Sequence, residues 1–120
     1  MSIQFQIEEM PDYLAVRFTG TGAVEDVPQL FELIAEYCIR ANKNKLLLDI
    51  TEVHANIFLA DRYFFGEETQ IFAHYNLKVA VVCSLEQLDP QRFTEKVAQN
   101  RGVNLRIFKN VKDAEGWLSK

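Results

Sequence analysis

The sequence predicts an α/β domain, a mixed sheet of about five strands packed with four helices in the order β-β-α-β-α-β-α-β-α. Three observations carry this. Apolar and polar residues alternate near the N-terminus, as a strand with one wet face requires. Two central runs, Leu46-Leu47-Leu48 and Val79-Ala80-Val81-Val82, are apolar without alternation, as strands covered on both faces are. Between and after these runs, apolar residues recur every three or four positions, the spacing of helices that bury one side.

In chain order, Ile3, Phe5 and Ile7 alternate with Gln4, Gln6 and Glu8 to give the first strand. Met10-Pro11-Asp12 is a turn-prone break, and a second strand follows from Tyr13 to Thr19 with Leu14, Val16 and Phe18 on one side. So short a break makes the pair an antiparallel hairpin. Gly20-Thr21-Gly22 ends the pattern; Val27, Leu30, Phe31, Ile34, Tyr37, Cys38 and Ala41 then mark an amphipathic helix. Pro28 falls in its first turn, where a missing amide loses no hydrogen bond.

Lys45 to Thr51 reads as a doubly covered strand, Phe58 to Tyr75 as a second helix, and Leu77 to Ser84 as another buried strand. Asp89-Pro90 supplies an N-cap with proline at the first helical position, and Gly102 a stop. Only Phe93, Val97 and Ala98 give that third helix an apolar side. Val103, Leu105 and Ile107 alternate as the last strand, and Asn110 caps a closing helix anchored by Val111, Ala114, Trp117 and Leu118. Right-handed crossovers through helices make the later strands parallel.

A chain of 120 residues forms one domain, residues 1–120, and buries roughly two-thirds of its unfolded surface, enough for a core without metal or disulfide staples. Thirteen basic against 17 acidic residues leave a charge of −4, which argues against nucleic acid as a partner. No apolar run approaches the length of a membrane span, so no stable membrane insertion is expected. The N-terminal MSIQFQIEEM lacks a basic segment followed by an apolar run and does not read as a secretory signal. Cys38 and Cys83 have no Cys or His at ligand spacing and read as buried free thiols of a reducing cytoplasm.

Motifs that would carry chemistry are few. There is no HExxH, paired CxxC, acidic calcium loop or nucleophile motif, and Glu67 and His74 are two helical turns apart, too far to chelate together. No metal and no cofactor are expected. Gly20-Thr21-Gly22 precedes a helix, but it lacks the third glycine and the lysine of a phosphate loop, and Glu25 and Asp26 follow it, so it reads as a turn.

Two candidate surfaces remain. Ligands of open α/β sheets lie beyond the carboxyl ends of parallel strands, a rim that here comprises Asp49 to Ile57, Ser84 to Asp89 and Lys109-Asn110. Its polar members are Asp49, Thr51, Glu52, His54, Ser84 and Glu86. His54 titrates near neutrality and could serve as a base or a ligand, while Thr51 reads as a hydroxyl that terminates its strand by local bonding. On the second helix, Phe58, Phe65 and Phe72 recur every seven residues beside a stripe of Phe64, Ile71 and Tyr75, with Asp61 and Glu68 between the stripes. Two apolar strips exceed what covering a sheet requires. One is expected to pack on the sheet and the other to face a neighbouring helix, a second subunit or an apolar ligand.

The element order, with Leu46-Leu47-Leu48-Asp49-Ile50-Thr51-Glu52-Val53 at its centre, resembles the STAS fold and within it the SpoIIAA-like group of small bacterial proteins, also described as STAS/CRAL-TRIO-like. The apolar strand Lys78 to Val82 and the closing segment Phe108 to Leu118, ending in Trp-Leu, match that group's later features. The resemblance implies a compact binding module; with the aromatic stripes and the absence of catalytic motifs, a non-enzymatic interaction module is expected, a homodimer whose contact surface includes the second helix. The CRAL-TRIO side of the resemblance implies the alternative, a carrier or sensor of a small apolar or lipid-like ligand. Antagonists in this family carry a phosphorylatable serine at a spacing from Asp49 that here reaches Ile57-Phe58-Leu59-Ala60, where there is no hydroxyl.

Overall fold

In the computed structural model of the chain, which describes residues 4–20, 27–53, 65–84, 87 and 92–120, the N-terminal alternation becomes β1 (Gln4–Glu9). It pairs antiparallel with β2 (Leu14–Gly20), Phe5 beside Phe18 and Ile7 beside Val16. Helix α1 (Val27–Arg40) leads to β3 (Lys45–Val53), which lies parallel to β2. A short helical stretch at 65–68 and α2 (Gln70–His74) lead to β4 (Lys78–Val82); α3 (Phe93–Asn100) leads to β5 (Asn104–Phe108), and α4 (Val111–Leu118) closes the chain. The sheet order is β1-β2-β3-β4-β5, antiparallel at the hairpin and parallel elsewhere.

Consecutive parallel strands are neighbours, so each crossover helix returns to the same face. That face holds the main core: Ile34, Ala35 and Cys38 of α1, Phe72 of α2 and Ala98 of α3 pack on Leu14, Val16, Leu46, Leu48, Val79 and Leu105. Helix α4 covers the opposite face, with Ala114 and Leu118 against Leu47, Ala80 and Val82. Side chains alternate along a strand, so Leu46 and Leu48 enter one core and Leu47 the other. All three are buried, which is the physical reason for an unbroken apolar run at this point of the sequence.

Local chemistry explains the element ends. Gly20, with φ +101°, ends β2, and Gly102, with φ +86°, ends α3, both in the left-handed region that favours glycine. Asn110 caps α4 as expected, its side chain accepting from the Asp113 amide at 2.8 Å. Three expectations need correction. The second helix is not continuous: Thr69 breaks it, its hydroxyl donating to the Gly66 carbonyl at 2.5 Å, and Tyr75 lies beyond α2, while 58–64 fall outside the described residues. Helix α3 begins at Phe93, after Arg92 in the left-handed region (φ +53°); Asp89 and Pro90 lie outside the described residues. Tyr37, read as part of the buried side of α1, is 39% exposed, because the sheet-facing arc is already filled by Val27, Ile34, Ala35 and Cys38.

Helix α4 is held by more than its apolar side. Tyr13 donates its hydroxyl to the Glu115 carboxylate, and Phe108 packs on Trp117 with ring centres 5.7 Å apart. Lys78 Nζ donates to the Trp117 carbonyl at 2.7 Å and the Lys120 carbonyl at 3.1 Å, at the end of the helix where a cation is favoured. It also lies 4.6 Å from the Trp117 ring centre.

Two tests follow from this packing. A Cβ at Gly66 would come within 2.7 Å of Val97 Cβ, whereas one at Gly116 meets nothing within 4 Å. In urea unfolding, Gly66→Ala should lose about 1–3 kcal/mol through overpacking, and Gly116→Ala should gain up to about 1 kcal/mol of helix propensity. Tyr13 is pushed up to about 12 by burial first and then by its bond to Glu115. Its folded pKa exceeds the unfolded value of 10.0, so its contribution is complete below pH 10 and is lost as pH rises toward 12. The urea midpoint of the wild type should therefore fall more steeply over that window than that of Tyr13→Phe.

Candidate functional site

The rim at the carboxyl ends of β3 and β4 is built around a bulge. The β2–β3 register runs from Arg17↔Asp49 to Thr19↔Glu52, so β3 carries one extra residue there. Asp49, only 9% exposed, accepts from the Thr51 amide at 3.0 Å and the Thr51 hydroxyl at 2.7 Å, which satisfies backbone that the bulge withdraws from the ladder. Arg17 approaches the same carboxylate at 3.8 Å but is largely exposed, and such a pair contributes between zero and about 1 kcal/mol. The bonds to Thr51, not the ion pair, hold Asp49 in place.

Across the rim, Gln87 performs a role that the sequence reading missed. Its side-chain amide donates to the carbonyls of Ile50 (2.8 Å) and Val53 (2.9 Å), while its oxygen accepts from the Ser84 amide at 2.8 Å. Ser84 Oγ in turn accepts from the Gln87 amide at 3.3 Å. This is the reciprocal pattern of a capping box, and the spacing Ser84-x-x-Gln87 was the available signal. Asp49, Thr51 and Ser84 are thus brought to one rim, with their polar atoms engaged in shaping it. Glu52 is exposed beside them; His54 and Glu86 lie outside the described residues.

The expected contact surface on the second helix divides. Phe58 and Asp61 lie outside the described residues, and Phe65 and Glu68 are half-buried. Phe72 must be withdrawn from it: the ring is fully buried and packs on Phe31 with centres 5.0 Å apart, because α2 turns this side onto the core shared with α1. Glu67 meets Arg101 at 3.3 Å. Among the described residues no three His, Cys, Asp or Glu side chains gather as a metal site. Both cysteines are buried and neither forms a disulfide, and burial pushes the Cys38 thiol up to about 11.

A second polar arrangement lines the outer edge of β5. Glu95, 9% exposed, accepts from the Ile107 amide at 2.7 Å and from Arg92 at 2.8 and 3.1 Å. Arg92 also donates to the Ile107 carbonyl, and Gln99 donates to the Leu105 carbonyl at 2.9 Å. These bonds offset the roughly 1–2 kcal/mol cost of left-handed backbone at Arg92. They also explain how α3 holds to the sheet with so thin an apolar side. Arg106, Lys109 and Asp113 extend this edge into an open groove of about 660 Å³ with mixed charge.

No curated protein matches the sequence. Solved structures match it over nearly its whole length. An anti-sigma factor antagonist from Mycobacterium paratuberculosis is 14% identical with a TM-score of 0.65, the match covering 99% of this chain and 96% of that one. An uncharacterized protein of the DUF3478 family with a SpoIIAA-like fold, from Shewanella loihica PV-4, is 26% identical with a TM-score of 0.57, covering 97% and 93%. The anti-sigma factor antagonist SpoIIAA in its unphosphorylated form is 12% identical with a TM-score of 0.56, covering 97% and 96%. The fold is therefore SpoIIAA-like, as the strand order and the central β3 implied. A family model described as a domain of unknown function, DUF4180, matches residues 12–118, nearly the whole chain, and the protein belongs to that family.

Proposed function

We propose that this protein is a non-enzymatic STAS-type interaction module of the bacterial cytoplasm, which works by binding another protein and a second copy of itself. The observation that carries the reading is the likeness of the whole fold to anti-sigma factor antagonists. Two further features support it. The hydroxyls and carboxylate of the rim are committed to local hydrogen bonds, an arrangement that shapes a surface rather than activating a nucleophile. Phe72, Leu77 and Val79 fill the space between α2 and the sheet, which favours a contact module over a carrier of a small apolar ligand. Two buried cysteines outside any disulfide suit a reducing compartment.

The partner surface in this reading is assigned to Asp49, Thr51, His54 and Ser84 together with Phe58, Asp61, Phe65 and Glu68. Its partner presents an apolar patch with a cationic border, complementary to aromatic rings flanked by acids. Because Ile57 to Ala60 offer no hydroxyl, binding there is not switched by phosphorylation at the position used by the family's antagonists.

A photo-crosslinking residue placed at Phe58 in the native bacterium should give a discrete adduct, whereas one at exposed Lys96 of α3 should not. The protein so identified, purified, should bind the wild type and bind Phe58→Glu at least about tenfold more weakly, a loss of about 1.4 kcal/mol. Equal labelling at both positions, or unchanged affinity, would remove the assignment of this surface.

A further inference from the structure

The two edges of the sheet are finished differently. At β5 the outward Ile107 amide and the Leu105 and Ile107 carbonyls are occupied by Glu95, Gln99 and Arg92 of the α3 segment. At β1, among the described residues, no side chain is hydrogen-bonded to the strand's backbone, and β2 is its one neighbour in the sheet. Natural edges discourage pairing with lysine, proline, bulges or a covering element. Gln4–Glu9 has no lysine, proline or glycine, and its register with β2 is regular throughout.

The strand is also complementary to itself. Gln4-Phe5-Gln6-Ile7-Glu8 reads polar-apolar-polar-apolar-polar from either end. A two-fold axis at Gln6 places Phe5 beside the second copy's Ile7 on the helix-covered face, and the Gln4 amide beside the second copy's Glu8. Like charges do not meet, because both acids of the strand, Glu8 and Glu9, stand at one end. A closed isologous contact of this kind needs one patch that fits its own copy.

We propose that β1 pairs antiparallel with β1 of a second copy about Gln6, joining two five-stranded sheets into one. This rests on the self-association proposed above and names its surface.

Sedimentation velocity of the full chain tests it. The wild type should sediment as a dimer of 13.9 kDa chains. Gln6 is exposed, so Gln6→Lys and Gln6→Glu should each fold, with unchanged circular dichroism, and each sediment as a monomer. An equimolar mixture of the two should restore the dimer. A wild-type monomer up to roughly 1 mM would overturn both this interface and self-association itself, leaving the binding of other proteins untouched. A wild-type dimer indifferent to Gln6→Lys and Gln6→Glu would overturn the β1 interface alone. A mixture that stays monomeric would overturn the pairing about Gln6.

Discussion

Burial of β3 on both faces is the constraint from which the rest of the structure follows. Leu46, Leu47 and Leu48 are all enclosed, and each such side chain contributes about 1.5–3 kcal/mol when taken fully from water. Because side chains alternate, a strand of this composition needs a layer on each side. The crossover helices α1 to α3 supply one layer. Only α4, the element after the last strand, is free to supply the other, and Ala114 and Leu118 do so with Trp117 packed against Phe108. A single helix covers that face less widely than three, so the Lys78 and Tyr13 bonds that anchor α4 matter more than surface polar contacts usually do.

Wherever the ladder ends or slips, polar side chains take over its hydrogen bonds. The β3 bulge is held by Asp49, the junction between β3 and the exit of β4 by Gln87, and the β5 edge by Glu95, Gln99 and Arg92. Among the described residues, no buried side-chain nitrogen or oxygen lacks a partner. A buried carboxylate such as Glu95 is tolerable because an arginine and a backbone amide both meet it. The rim residues Asp49, Thr51 and Ser84 thus hold the β3 bulge and the turn after β4.

Much of this was legible in the residues. The alternation of Phe5 and Ile7, the double burial of the leucine and valine runs, the proline in the first turn of α1, the glycine stop of α3 and the Asn110 cap are each local signals with a local cause. Phe72 was misread because its seven-residue spacing with Phe58 and Phe65 looks the same whether a helix stripe faces the core or a partner. Which it faces depends on α1, through Phe31, more than 40 positions earlier. The break at Thr69 escaped notice because threonine also occurs within helices. The role of Glu95 escaped because a carboxylate on a helix normally reads as solvated.

The sequence by itself determined the order of elements, their type and the central place of β3, because hydrophobic periodicity and end signals act over a few residues and need no distant partner. Only the tertiary structure decided which stripe of each helix is enclosed, where polar side chains substitute for the ladder, and that β5 is a sealed edge while β1, among the described residues, is not. Those outcomes depend on which residues distant in the chain come within hydrogen-bonding or van der Waals reach, and the strand order sets that reach.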